Sequence, residues 1–197
     1  MTETVDGRRA RGDATRRRVA GAAAQTATVH GLDSITVGGL AAETGVSKSG
    51  ILTVFENREA IQIAAVAAAR DLYIEHVVGP AWGSPSGKPR LRALVQHWAD
   101  YLRAGVFRGG CFVSATTAEF GHRVGAVADA VRNLEREWLD VLEAEFAAAG
   151  SKDPIGDAFR LDAYLRAANV RRELLGEDDM LERAEKLALT VIARPSR

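Results

Sequence analysis

The sequence predicts an all-α protein, and three observations carry that prediction. Alanine, the best helix former, supplies 35 of the 197 residues and gathers in runs at 22–24, 64–69 and 147–149. Nowhere do β-branched and aromatic residues alternate with period two over the length of a strand. Glycine, proline and capping residues cut the chain into about nine segments of helix length.

Taken in order, the first helix is expected over 14–29, closed by Gly31, a short second over 37–43, closed by Gly45, and a third over 48–55. A longer fourth spans 58–78 and stops at Gly79-Pro80. Residues 79–89 hold three glycines and three prolines and read as a loop. Pro89 then opens a helix reaching 104, broken by Gly105 and by Gly109-Gly110. A brief helix over 114–120 precedes a long one over 124–149, ended by Gly150. Asp153-Pro154 opens 155–175, Gly176 breaks it, and 178–193 forms the last helix before Pro195.

Composition narrows the function. Lys and Arg total 26 and so do Asp and Glu, with 47% hydrophobic residues, the make-up of a soluble globular protein of one large or two small domains. A net charge of zero gives no global footprint of polyanion binding, so evidence for DNA binding must be local. A single cysteine, Cys111, excludes an intramolecular disulfide and a zinc finger. The longest stretch without Asp, Glu, Lys or Arg is 19–32, too short to span a bilayer. Arg16-Arg17-Arg18 precedes it in the manner of a signal peptide, but Gln25, Thr26, Thr28 and His30 make a poor apolar core. No membrane partner is expected, and the compartment expected is the cytoplasm.

The informative segment is 36–55. Thr36 can cap a helix, Val37, Leu40 and Ala41 share one face, Gly45 makes a turn, Val46 points to the core and Ser47 caps the next helix. This is a helix-turn-helix. Helices of seven or eight residues need outside support, which the first helix and the start of the fourth must supply. In the DNA-reading form of the motif the first turn of the second helix lies nearest the base edges. Here that turn offers Ser47, Lys48, Ser49 and Gly50.

The order and spacing of Arg16, Val19, Ala22-Ala23, Gly31, Thr36-Val37, Leu40-Ala41, Gly45-Val46-Ser47-Lys48, Phe55, Asn57-Arg58-Glu59 and Ile61 resemble the tetracycline-repressor family of bacterial transcriptional regulators. The resemblance covers about a quarter of the chain. It implies a DNA-binding domain over 1–62, a three-helix helix-turn-helix unit with a basic arm, and a helical effector-binding and dimerisation domain over 63–197. It also implies that Thr36, Ser47 and Lys48 meet phosphates or bases, that Ser49, Gly50 and Thr53 face the groove, and that Arg58 reaches the backbone. Arg16 and Arg17, with Arg8, Arg9, Arg11 and Arg18, would neutralise flanking phosphates. Leu52 and Val54 stand where the family usually has phosphate-contacting Tyr and His, so weaker or differently anchored DNA binding is expected. The function implied is a ligand-responsive regulator, a repressor released from a palindromic double-stranded DNA operator by a small apolar or amphipathic effector.

Large aromatics follow residue 97, and Trp98, Tyr101 and Leu102 share one helical face. The bland reading is core; the functional one is a cavity between helices, with His97, Trp98, Tyr101, Cys111, Phe112, Thr116, Phe120 and Trp138 as its candidate lining. Gly109-Gly110-Cys111-Phe112 resembles a signature of one branch of the family, in which the glycines turn Cys111 and Phe112 inward. Cys111 is expected to be buried and inert, since Arg108 is its nearest cation in sequence.

The last two helices carry broad apolar faces, which imply a homodimer interface through Phe159, Tyr164, Leu181, Ala184, Leu187 and Ala188. The four histidines have no metal-ligand spacing, so neither a metal nor a cofactor is expected. Without a Gly-rich phosphate loop, metal carboxylates or a nucleophile elbow, catalysis is not expected. A helical interaction protein with weakened DNA binding remains the alternative, and a helical enzyme a lesser one. Charge is divided by position: residues 1–18 carry a local +3 and residues 19–62 a local −2, so the electrostatics of DNA approach fall on a flexible arm.

Overall fold

The structure, a computed structural model, describes residues 3–194, and among them the regular structure is helical throughout. The helices are α1 (Glu3–His30), α2 (Val37–Thr44), α3 (Lys48–Val54), α4 (Arg58–Tyr73), α5 (Lys88–Arg103), α6 (Phe112–Phe120), α7 (Ala126–Ala148), α8 (Pro154–Leu175) and α9 (Asp179–Ala193). A short 3-10 turn, Leu32–Ser34, joins α1 to α2. Pro195, expected to follow the last helix, lies outside the described residues.

Side-chain caps account for the ends that were legible. Thr36, Ser47, Asn57 and Asp153 each accept a backbone N–H three residues on, starting α2, α3, α4 and α8. Two elements depart from expectation. α1 begins near residue 3 rather than 14, so the basic arm is helical and α1 has 28 residues, about 42 Å at 1.5 Å per residue. Neither Gly7 nor Gly12 breaks that stretch.

The other departure is at Gly79-Pro80, which does not stop the fourth helix. The chain widens into a π-helical turn over Ile74–Val78, and the Gly79 N–H reaches the Ile74 carbonyl. A helical turn, Gly79–Ala81, then follows. A proline ring clashes with the carbonyl four residues earlier and supplies no N–H, so the helix accommodates Pro80 by widening before it.

The loop that follows is organised by Glu145. Its buried carboxylate accepts the Gly87 N–H at 2.7 Å, the Ser86 hydroxyl at 2.9 Å and Arg90 Nη1 at 2.8 Å. It thereby caps α5 from α7, while the Arg90 guanidinium stacks on Trp82. These donors hold the Glu145 carboxyl below its ordinary range although burial pulls the other way.

α1 packs on α4, α8 on both α7 and α9, and α9 on α5. One core runs through the molecule, from Val19, Leu40, Ile51 and Phe55 around the helix-turn-helix to Trp98, Leu142, Phe146 and Leu181 beyond it. α4 crosses residue 62, the expected domain boundary, without interruption.

Candidate DNA-binding and effector sites

α2 and α3 are joined at Gly45, whose φ of 70° is the left-handed conformation that glycine adopts at no steric cost. Thr44 fixes the turn by donating to the Leu40 carbonyl at 2.6 Å and accepting the Val46 N–H at 3.3 Å. Ile51 and Phe55 anchor α3 in the core, leaving Ser47, Lys48, Ser49, Leu52 and Thr53 exposed. Thr36 is exposed, with its hydroxyl capping α2. Gly50 is turned inward: a Cβ on it would lie 3.1 Å from both Ser47 Oγ and Val46 Cγ1. Thr53 donates to the Ser49 carbonyl at 2.8 Å.

The cations divide into two groups. Lys48 and Arg17 are exposed and have no partner among the described residues. Arg16 and Arg58 are engaged inside the molecule. Arg16 donates to the Val54 carbonyl at 2.7 Å and stacks over Phe55, tying α1 to the end of α3. Arg58 donates to the Asp33 carbonyl and lies 3.4 Å from the Asp33 carboxylate. Arg123 grips that carboxylate from beyond α6, and with Arg58 and Gln62 holds the Asp33 carboxyl below its ordinary range.

Polar bonds cross from the helix-turn-helix to the rest of the chain. Glu119, in the last turn of α6, accepts the backbone N–H groups of Leu32 at 2.7 Å and Asp33 at 2.9 Å. Gln25 of α1 donates to the Val106 carbonyl and accepts the Arg108 N–H, and Arg108 pairs with Glu43. Gly109 lies so close to α1 that a Cβ would stand 2.1 Å from the Thr28 carbonyl oxygen. Gly110, at φ 77°, faces α8, whose Asn169 Oδ1 accepts the Cys111 N–H at 3.0 Å. The two glycines thus let one turn fit between α1 and α8.

The expected effector lining is brought together in part. Trp98, Cys111 and Trp138 border a void of about 20 Å³, the room of a single water. Tyr101, Phe112 and Thr116 are buried nearby, and the Thr116 hydroxyl is taken by the Phe112 carbonyl at 2.9 Å. Phe120 instead lines a surface cleft of about 350 Å³ between α6 and α7. His97 is half-buried on α5 and borders neither space. Burial pushes the Cys111 thiol above its ordinary value, the opposite of what a reactive thiolate needs.

Sequence reasoning missed Tyr73, Ser114, Asp162 and Arg166, which also border the void. The Tyr73 ring stands edge-on to Tyr101 at 5.6 Å and to Trp138 at 5.3 Å. Asp162 accepts the Trp138 indole N–H at 2.9 Å and Arg166 Nε at 2.5 Å, and Arg166 Nη2 grips both oxygens of Glu135. Burial works against the Arg166 charge, but Asp162 and Glu135 hold its pKa above the ordinary value. The one available signal was the Asp162–Arg166 spacing of four on α8.

The expected dimer residues also divide. Phe159 is 72% exposed and Leu187 40%, Tyr164 is half-buried, and Leu181, Ala184 and Ala188 pack into the chain's own core. α8 instead presents Ile155, Phe159, Ala163, Ala167, Val170 and Leu174, all exposed and spaced by three or four residues. No group of histidine, cysteine or carboxylate side chains among the described residues is arranged to hold a metal, and none of their helices is long and apolar enough to cross a membrane.

Comparison with known structures gives the same fold. A TetR-family transcriptional regulator from Streptomyces coelicolor superposes with a TM-score of 0.81 at 21% identity, over 93% of this chain and 96% of that one. A TetR transcriptional regulator from Chloroflexus aurantiacus gives 0.83 at 24% identity, over the same shares. AibR, solved in complex with isovaleryl coenzyme A and operator DNA, gives 0.67 at 18% identity, over 89% of this chain and 98% of its own. No curated protein sequence matches the chain. Residues 87–188, half of the chain, match the tetracyclin repressor-like C-terminal domain. On that match the chain belongs to the tetracycline-repressor (TetR) family of transcriptional regulators.

Proposed function

We propose that the chain is a homodimeric, ligand-responsive repressor that binds a two-fold double-stranded DNA operator and is released by a small apolar or amphipathic effector. Residues 1–62 would read DNA, and residues 63–197 would dimerise and take the effector. The observation that carries this reading is the junction: Glu119, Arg123 and Gly109 bond the effector side directly to the 3-10 turn and α1 that support α2 and α3. A shift of α6 therefore changes the position of the reading head, and release is as large as the effector's preference for the shifted state. AibR, of the same fold, was crystallised with both a small molecule and operator DNA, which supports the pairing of the two functions.

The exposed apolar stripe of α8 supports the dimer. Ala163 and Ala167 lie at its centre, where small side chains let two helices approach, with larger residues on either side. On the DNA side, Lys48, Arg17 and Arg18 are exposed cations without a partner among the described residues, and the helical arm presents Arg8, Arg9 and Arg11 as an exposed extension of α1. A helix of that width lies along phosphates rather than inside the narrow minor groove.

Selection of bound fragments from the source genome tests the reading, combined with light scattering on the purified protein. Enrichment of a two-fold site by a dimer is expected. A second reading, a helical interaction protein with weakened operator binding, is favoured by the internal engagement of Arg16 and Arg58. Recovery of no symmetric site would select that second reading, and a monomer would defeat the first.

A further inference from the structure

We infer that Leu52 reads a base: on the operator-binding reading above, which this inference presupposes, the Leu52 side chain of each protomer packs on the C5 methyl of one thymine in the major groove.

The packing of α3 singles Leu52 out. Side chains advance by about 100° per residue round a helix. Ile51 is buried, Gly50 is turned inward, and Val54 is half-buried with its carbonyl taken by Arg16, so these three mark the face against the core. Leu52 and Ser49 each lie within about 35° of the direction opposite that face, while Lys48 and Thr53 fall to either side of them. The centre of the outward face is therefore one isobutyl group, 53% exposed, and one hydroxyl.

The neighbouring side chains leave that centre to Leu52. Lys48 leans toward α2, where a Cβ on Gly38 would stand 3.8 Å from its Nζ, a position at the edge of the face that suits phosphates better than bases. The Thr53 hydroxyl gives its proton to the Ser49 carbonyl, and the Ser49 and Ser47 hydroxyls bond each other at 3.2 Å.

Chemistry then chooses the base. Among the groups that base pairs present in the major groove, the thymine C5 methyl is the apolar one, and the rest are hydrogen-bond donors and acceptors. Leu52 against a guanine, adenine or cytosine edge would strip water from those atoms and return no hydrogen bond. Against thymine it removes two apolar groups from water at once. A two-fold site presents the same base to both protomers. Leu52, standing where the family usually has a phosphate-contacting Tyr, thus moves an anchor from the DNA backbone to a base.

Deoxyuridine keeps the pairing and the O4 of thymine and lacks only the methyl, so it isolates the contact. Random-sequence duplex DNA is selected on the purified full-length protein, and the enriched duplex is resynthesised with deoxyuridine replacing one thymine at a time. At one matched pair of positions the change should weaken binding by about fourfold for one half-site and about fifteenfold for both. Leu52→Ala should bind the thymine and deoxyuridine duplexes alike, and, since Leu52 is exposed, should keep the urea midpoint of wild type. A site insensitive to every methyl, or a sensitivity that Leu52→Ala retains, overturns the assignment and leaves the operator reading standing. Enrichment of no two-fold site overturns both.

Discussion

The carboxylate of Glu119, at the end of α6, accepts two successive backbone N–H groups, those of Leu32 and Asp33, where α1 turns toward the helix-turn-helix. Ionised acceptors on backbone donors are among the stronger hydrogen bonds, and this pair leaves α6 no independent path. Glu119→Ala should cost about 1–3 kcal/mol in urea unfolding. It should also leave operator affinity largely intact while blunting the response to effector. Full effector release by the variant, in a gel-shift titration beside wild type, would remove Glu119 from the coupling.

Gly109 and Gly12 make a contrasting pair. A Cβ at 109 would sit 2.1 Å from the Thr28 carbonyl oxygen, a backbone atom that moves only with α1, whereas nothing lies within 4 Å of one at 12. Gly109→Ala is expected to destabilise by about 2–3 kcal/mol or more. Gly12→Ala, in the helical arm, should stabilise its helix by about 0.5–1 kcal/mol. Thermal melts of the two variants should move in opposite directions, and a lowered helical content in the second would show that the arm is not helical.

The same residues mark how far the sequence could be read. Thr36, Gly45, Ser47 and Asn57 act through backbone atoms one to three positions away, so local chemistry is enough to place α2, α3 and α4. Cys111 and Phe112 were expected to face inward only through the resemblance of Gly109-Gly110-Cys111-Phe112 to a family signature, and both are buried. Arg16 and Arg58 were not legible, because whether an arginine faces DNA or a carbonyl 38 or 25 residues away depends on tertiary packing. Tyr73 escaped for the same reason, since its partners come from α5 and α7. On α8 and α9 the apolar residues were visible, but not which of two apolar faces meets the chain's own core.

That last ambiguity yields a test of assembly. Ala163→Glu together with Ala167→Glu places charge at the middle of the exposed α8 stripe without touching the chain's own core. The double variant should stay folded by circular dichroism and run as a monomer in light scattering. Leu181→Ala, by contrast, empties a fully buried position and should cost about 2–5 kcal/mol of stability. An intact dimer in the double glutamate variant would place the interface elsewhere.

Glu145 sets a pH dependence whose sign follows from its lowered pKa. Unfolded, the carboxyl titrates near 4.5; folded, it titrates lower, so its contribution is present above about 4.5 and is lost as pH falls through the folded value. Glu145→Gln should remove that part of the acid sensitivity and cost about 1–3 kcal/mol at neutral pH, by weakening the bonds to Gly87 and leaving Arg90 without its counter-charge. Urea midpoints across the acid range decide it, and a variant as acid-sensitive as wild type would put the titration on another group.

Lys48 and Arg58 were expected to act alike on DNA, and their surroundings now separate them. A cation that neutralises one phosphate releases about one counterion, so its loss flattens the dependence of log affinity on log salt by about one unit. Lys48 is exposed beside the first turn of α3 and has no protein partner to give up, so Lys48→Ala should show that flattening with little change in stability. Arg58 is bonded to the carbonyl of Asp33 and shares its carboxylate with Arg123. Its loss leaves Gln62 alone to tie the 3-10 turn to α4, so Arg58→Ala should lower the unfolding midpoint and leave the salt slope near that of wild type. Salt titrations of binding for both variants, beside their urea curves, test the assignment: a flattened slope in Arg58→Ala with unchanged stability would mean that Arg58 leaves Asp33 for the phosphate backbone when DNA arrives.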